Sequence, residues 1–242
     1  MSRSGRQGEA QRANGCMPAG ISASCLWTPS RSADGRDRNE NAGSAAMKQS
    51  FDLDTRTGLP VDLTELLRKY PRETWTDHAN LGATARFWLQ RHDMFRELGA
   101  AMQEALSQHR EGEVALDPFR RWFAPRLQFF LTQLEDHHQI EDHHYFPVFV
   151  RAESRLSPGF ELLENDHEVI HADLMAVAET ANRFLAEETG GGAVPPDAAR
   201  YAGDAYAEAS GRLLDRLVRH LADEEDLIIP LILDRGEAAI GI

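Results

Sequence analysis

Histidine and carboxylate side chains are concentrated between Leu134 and Pro147, where four of the chain's ten histidines lie. Continuing the flanking apolar pattern into this segment leads to His137 and Glu141, which lie one helical turn apart on the same face. Buried polar groups without partners would be strongly destabilising, whereas a metal ion would satisfy them. The segment therefore predicts a metal site in a helical core. The flanking apolar residues, at the three- and four-residue spacing of an amphipathic helix, are Leu127, Phe130, Leu131, Leu134, Tyr145 and Val148.

The same spacing of histidine, glutamate and proline occurs twice in the chain. In both copies the glutamate follows the histidine by four residues, and the proline follows the glutamate by six. Two further helical faces carry His92 and the pair His167 and His171. Every long predicted helix thus places an imidazole about midway along its apolar face, and such midpoints converge in a helical bundle. The two copies are His137, Glu141 and Pro147, and His220, Glu224 and Pro230.

Hydrophobic periodicity predicts an all-α chain, with no strand in residues 61–235. Four long helices with short connections favour an antiparallel up-down four-helix bundle. A short amphipathic helix over residues 61–70, stopped by Pro71, precedes it. The long helices are predicted to begin near Thr76 or Asp77, at Asp117–Pro118 (running to about Ala152), at Ser157–Pro158, and at Asp197 after a Gly/Pro-rich linker over 190–196.

The predicted organisation has four parts. Residues 1–50 carry seven Lys and Arg against four Asp and Glu, lack apolar periodicity, and are interpreted as a disordered tail. An alternative start at Met47 would remove most of that tail. The remaining parts are an N-terminal segment with the short helix (51–75), the four-helix bundle (76–235) and a C-terminal tail (236–242).

Composition argues against several classes of function. The net charge of −13 argues against binding to nucleic acid or to anionic membrane surfaces. No apolar run reaches the length of about 18 residues needed to cross a bilayer. Both cysteines, Cys16 and Cys25, lie near the N-terminus, so no disulfide framework or thiolate metal site is expected. A cytoplasmic location follows as the default expectation.

The order H, HxxxE, H, HxxxE resembles the hemerythrin-like (HHE) family over roughly residues 76–233. The extra His171 matches the HxxxH of the oxygen-carrying hemerythrins. The resemblance implies a four-helix bundle around two non-haem iron ions with a bridging oxo or hydroxo group. The ligand number agrees, because five histidines and two glutamates are too many for one tetrahedral zinc ion. If two octahedral irons share both glutamates and one bridging oxygen, three positions on each iron are filled. The five histidines then divide three and two, which leaves one position open. The ligands that the resemblance implies are His92, His137, Glu141, His167, His171, His220 and Glu224.

The expected function is binding or sensing of O2 or a related small molecule such as NO, with no protein partner identified. One alternative is a di-iron enzyme acting on peroxide or NO, or in iron-centre repair. No spacing identifies a catalytic acid or base, so the sequence leans against an enzyme. Another alternative is a metal-storage or partner-binding helical bundle.

Several ligand assignments stay open at this stage. His138 and Asp142 form a second i, i+4 pair, rotated by about 100° around the helix. Glu225 competes with Glu224, which lies on the apolar face. His144 is a candidate for a supporting or channel role. Ferritin-like di-iron proteins are a competing class, but they use Glu-x-x-His and four glutamates, whereas imidazole dominates here.

Overall fold

The computed structural model describes residues 52–187 and 196–242. All regular secondary structure within these ranges is helical. The predicted tail at 1–50 and most of the predicted linker at 190–196 lie outside the described residues. The helices are α1 (Glu65–Lys69), α2 (Ala83–Arg110), α3 (Leu116–Ile140), α4 (Phe146–Ala152), α5 (Ser157–Glu187), α6 (Pro196–Arg235) and α7 (Glu237–Ile240). A π-helical turn over Glu141–Tyr145 joins α3 to α4.

The long helices pack as neighbours around a closed ring. α2 contacts α3 and α6, and α5 contacts the same two helices from the other side. Every long helix therefore has two long neighbours, which is consistent with a four-helix bundle. Across the described ranges, no helix is both long and apolar enough to span a bilayer.

The start of α2 lies later than its sequence predicts. The helix begins at Ala83 with Gly82 as its N-cap, not near Thr76 or Asp77. No local side chain caps it; instead Glu237 Oε1 accepts the backbone N–H of Ala85 at 2.8 Å. Residues 236–242, predicted to be a tail, therefore include a helix whose carboxylate completes the N-terminus of α2. Such a long-range cap leaves no local sequence signal.

The helical segment from α3 to α4, which carries four of the ten histidines, also departs from its predicted register. Its N-cap is Ala115, two residues before the predicted Asp117. After Ile140 the π turn inserts one extra residue into the helical repeat, so the inward-facing positions move by one. Phe146 and Phe149 are consequently fully buried, where the regular repeat had predicted Tyr145 and Val148.

Two separate apolar clusters form the core, and the histidines lie between them. Along α2, Trp88 belongs to one cluster and Phe95 to the other, with His92 in between. Along α5, Leu163 and Ile170 flank His167 in the same way. The imidazoles and carboxylates therefore form a polar layer across the middle of an otherwise apolar interior.

Candidate metal centre

Five elements carry the polar layer. α2 and α5 each provide one histidine, α3 provides two, the π turn provides a glutamate, and α6 provides a histidine and a glutamate. Their possible ligand atoms form two groups, each with atoms within 4.8 Å of one another. The two-histidine group consists of His92, His137, Glu141 and Glu224, and the three-histidine group consists of His138, His167 and His220.

The two-histidine group joins side chains from opposite sides of the interior. Nε2 of His92 lies 3.1 Å from Nε2 of His137. His137 Nε2 lies 2.9 Å from Glu141 Oε1, and His92 Nε2 lies 3.6 Å from Glu224 Oε2. Two imidazole nitrogens and two carboxylates therefore surround a common point at separations typical of ligands on one metal ion.

The three-histidine group contains imidazole alone. Nε2 of His167 lies 3.1 Å from Nε2 of His220. The His138 ring stacks on the His167 ring, with centroids 4.0 Å apart and planes inclined by 13°. The His138 ring also packs edge-on against the His220 ring, with centroids 5.4 Å apart. Three buried imidazoles thus form one face of a second candidate site.

Both glutamates lie between the two groups. Glu141 Oε1 approaches His137, while Glu141 Oε2 lies 3.6 Å from Nε2 of His167 in the other group. Glu224 Oε2 lies 3.5 Å from Nε2 of His220 and 3.6 Å from Nε2 of His92. Each carboxylate therefore faces imidazole nitrogens of both groups.

The unsatisfied atoms of the layer support this assignment. Within the described residues, four fully buried side-chain atoms lack a hydrogen-bond partner, and all four belong to the two groups: His138 Nε2, both carboxylate oxygens of Glu141, and Glu224 Oε2. Buried polar atoms without partners are rare in folded proteins because each one is destabilising. Metal coordination would satisfy all four, and imidazole with carboxylate suits a first-row transition metal.

A further set of carboxylates fixes the orientation of the histidines. In three of the histidines, Nδ1 faces a carboxylate. Because a carboxylate can only accept a hydrogen bond, Nδ1 carries the proton and donates, and Nε2 keeps its lone pair for a metal. Trp88 orients a carboxylate ligand: its Nε1–H donates to Glu224 Oε1 at 2.7 Å. The histidine pairs are His92 with Glu225 (3.0 Å), His167 with Asp142 (2.7 Å) and His220 with Asp166 (3.3 Å).

Burial sets the protonation of the ligands. It lowers the pKa of His137 and of His220 to about 3, so both imidazoles are neutral at physiological pH. It raises the pKa of Glu141 and of Glu224 well above the usual range. Burial would also raise the pKa of Glu225, but hydrogen bonds from His92 and Arg96 reverse the shift and lower it to about 2. Glu225 is therefore an anion at neutral pH and accepts a hydrogen bond from His92.

The structure brings together six of the seven ligands that the sequence predicts, and His171 is the exception. Its Nδ1 lies 2.9 Å from Glu135 Oε2 and its side chain is 21% exposed, so it belongs to neither group. His138 occupies the third imidazole position instead. The sequence offered His138 only as an alternative to His137, yet the two point into different groups. The inward-facing arc of a buried helix can exceed the rotation of about 100° between consecutive residues, so two adjacent residues can both face the interior.

The competing carboxylates take supporting positions. Asp142, offered by sequence as an alternative to Glu141, faces the Nδ1 side of His167, and Glu225 faces that of His92. Asp166 performs the same role for His220, and no sequence pattern singled it out. Its position directly before a predicted ligand was the available signal. His144 is exposed and does not line the centre.

The helical fold and the buried His/Glu layer together define a helical metal-binding protein. The model of the hemerythrin HHE cation-binding domain matches residues 83–232, and the chain belongs to this family. Searches of curated proteins and of solved structures give no significant match.

Proposed function

We propose that the chain is a non-haem di-iron protein that binds O2, or a related diatomic molecule such as NO, inside an antiparallel up-down four-helix bundle. One observation carries the proposal: Glu141 and Glu224 lie between two sets of imidazoles, with buried oxygens that have no other partner. Iron held there would supply electrons to a diatomic ligand. The family membership supports iron, although imidazole and carboxylate also accept other first-row ions.

The unequal number of histidines supports an open position on one side. With both glutamates shared, the three-histidine group supplies one more ligand than the two-histidine group. The side chain of His137 is 10% exposed, whereas those of His92 and His220 are fully buried. A small ligand would therefore reach the two-histidine group along His137.

The surrounding residues support reversible binding. Trp88 and Glu225 hold Glu224 and His92 in fixed orientations through hydrogen bonds. The ring centroids of Phe95 and Trp88 lie 5.4 and 6.2 Å from that of His137, so these two rings pack around this imidazole. We place this activity in the cytoplasm, since residues 51–242 contain no cysteine for a disulfide.

A second candidate is a di-iron enzyme acting on peroxide, NO or a larger molecule. A surface cleft that reaches His137 and Glu141 favours it, because a closed O2-binding site would not need an opening of that size.

The test is metal content together with an optical spectrum, first without oxygen and then in air. We expect about two iron ions per chain and a charge-transfer band that appears with O2 and disappears when O2 is removed. Irreversible bleaching, or turnover with peroxide, would favour the enzyme. Zinc or no metal would contradict both candidates.

A matched pair of glutamates on α6 controls the experiment. Glu224→Ala should remove a shared ligand and lower the iron-to-protein ratio to about one or less. Glu208 lies on the same helix, is exposed and pairs with Arg212, so Glu208→Ala should leave the ratio unchanged. Equal ratios in the two variants would rule out Glu224 as a bridging ligand.

A further inference from the structure

A cleft between α2 and α3 opens on the two-histidine group. Its volume is about 340 Å³, within the range of pockets that hold small organic molecules and far larger than a diatomic ligand needs. His137 and Glu141 lie at its inner end, and Phe87 and Ile140 at its rim. We call it the α2–α3 cleft.

The walls of the α2–α3 cleft are mainly apolar and aromatic. Phe87 is 62% exposed and Ile140 is 48% exposed, so both present apolar surface at the mouth. The N–H of Trp88 is already bonded to Glu224, which leaves its ring as the surface it offers. The Tyr145 ring packs edge-on against Trp88, with centroids 4.7 Å apart. These walls suit a flat, apolar ring better than a polar molecule.

Arg91 brings a positive charge to the cleft, whose lining also includes the carboxylates of Asp136 and Glu141. Its Nη2 donates to Gln133 Oε1 at 3.0 Å, and its guanidinium lies 5.3 Å from the centroid of the Phe95 ring. No carboxylate of the described residues forms an ion pair with Arg91, unlike Arg56, Arg72 and Arg96. A guanidinium has five donors, so most of those of Arg91 are available to a ligand. Arginine binds carboxylates and other anionic oxygens well.

We propose that the α2–α3 cleft binds a small aromatic molecule that carries an anionic oxygen, as a carboxylate or a phenolate. The ring lies between Phe87, Trp88 and Tyr145, and Arg91 receives the anionic group beside the two-histidine group. The inference rests on the proposed function in one respect: the bound molecule is placed next to the open side of the metal centre. Binding itself depends on residues of the cleft that are not metal ligands.

Benzoate is the probe that tests the proposal. Its binding to the full-length, iron-loaded chain is measured by equilibrium dialysis, with acetate as the competitor that lacks a ring. We expect saturable binding of benzoate with a Kd of about 1 mM or below. Acetate at the same concentration should not compete. Arg91→Gln should weaken binding about tenfold because a charged hydrogen bond is lost.

Two further variants make the test specific. Arg126 also lies on a helix of this pair, but it packs over Trp122 outside the cleft, so Arg126→Gln should bind benzoate like the unmodified chain. Ile140→Trp changes an exposed rim residue and should block binding by filling the mouth. Folding of each variant is checked by circular dichroism.

Three results would overturn the proposal: no saturable binding up to about 10 mM benzoate, equal effects of Arg91→Gln and Arg126→Gln, or unchanged binding in Ile140→Trp. The iron-to-protein ratio is measured on the same samples. A chain that holds two irons but does not bind benzoate contradicts this inference alone. A chain that binds benzoate in an Arg91-dependent manner without iron contradicts the proposed function and leaves the cleft assignment standing.

Discussion

Two adjacent histidines on α3 serve different halves of the polar layer. His137 Nε2 lies beside His92 and Glu141, whereas the ring of His138 stacks on that of His167. His138 Nε2 is buried and has no hydrogen-bond partner. At the level of single residues, this makes His138 a stronger candidate ligand than His171, which belongs to neither group.

The first prediction concerns this pair. His138→Ala should lower the bound metal from about two ions per chain towards one, because the three-histidine group loses a ligand. His171→Ala should leave the metal content unchanged, since that ring is 21% exposed and its Nδ1 faces Glu135. Metal content is measured by atomic emission after dialysis against metal-free buffer.

The sequence alone gave the opposite expectation, because it treated His138 as a replacement for His137. If His171→Ala loses metal and His138→Ala does not, the ligand set of the family pattern applies and the stacked His138 is only a core residue. His143→Ala is the control, since His143 lies on the same helical segment but is exposed and hydrogen-bonded to the backbone oxygen of Gln139.

At the level of elements, the segment before α2 is part of the folded unit. Arg56 is 1% exposed in its side chain and bonds Asp166 through two nitrogens and Asp223 through its Nε at 2.6 Å. Asp166 in turn accepts from Nδ1 of His220. A residue outside the matched range 83–232 is therefore connected, through one carboxylate, to a ligand of the three-histidine group.

The second prediction tests this connection. Arg56→Met should lower the free energy of unfolding by about 3–5 kcal/mol, because it leaves two buried carboxylates without a cation. Metal affinity should fall about tenfold as His220 loses its fixed orientation. Urea unfolding and a metal-chelator competition measure the two effects.

Arg155→Met provides the comparison. Its side chain is 67% exposed and pairs with Glu153 and Glu65 at the surface, so its loss should change the free energy of unfolding little. A similar small loss in Arg56→Met would show that the buried network contributes nothing beyond a surface ion pair.

The elements also show what the sequence could and could not predict. The position of His92 on the buried face of α2 was predicted correctly because a regular helix preserves its 3.6-residue repeat. The repeat failed after Ile140, where the π turn moved burial from Tyr145 to Phe146. Such a turn is chosen by tertiary packing around the polar layer, so local periodicity does not reveal it.

In the candidate site, spacing also indicates ligands better than it indicates the residues that orient them. Spacing on apolar faces favoured Glu224 over Glu225, and Glu224 lies in the two-histidine group, whereas Glu225 faces Nδ1 of His92. Spacing could not identify Asp166 or Trp88, because their roles depend on helices that meet only in the folded chain. Residues that orient ligands have no fixed sequence offset from them.

At the level of the whole molecule, the polar layer divides the core into two apolar clusters. Without metal, the layer contains buried carboxylate oxygens and an imidazole nitrogen that lack partners. Burial also raises the pKa of Glu141 and of Glu224, which shows that their charge is unfavourable in this environment. Metal binding should therefore stabilise the centre of the molecule and hold its two apolar halves together.

The third prediction follows from this arrangement. Free metal at about a thousand times its Kd should stabilise the fold by about 4 kcal/mol, which for a chain of this size raises Tm by about 10 °C. Removal of metal with a chelator should lower Tm by the same amount, and calorimetry with and without chelator measures it.

The double variant Glu141→Gln with Glu224→Gln separates coordination from other effects of the chelator. Neutral amides cannot bridge two cations as carboxylates do, so the chelator should leave Tm of this variant almost unchanged. A shift as large as that of the unmodified chain would place the stabilising metal elsewhere. A small shift in both proteins would mean that the two apolar clusters hold the helices together without help from the layer between them.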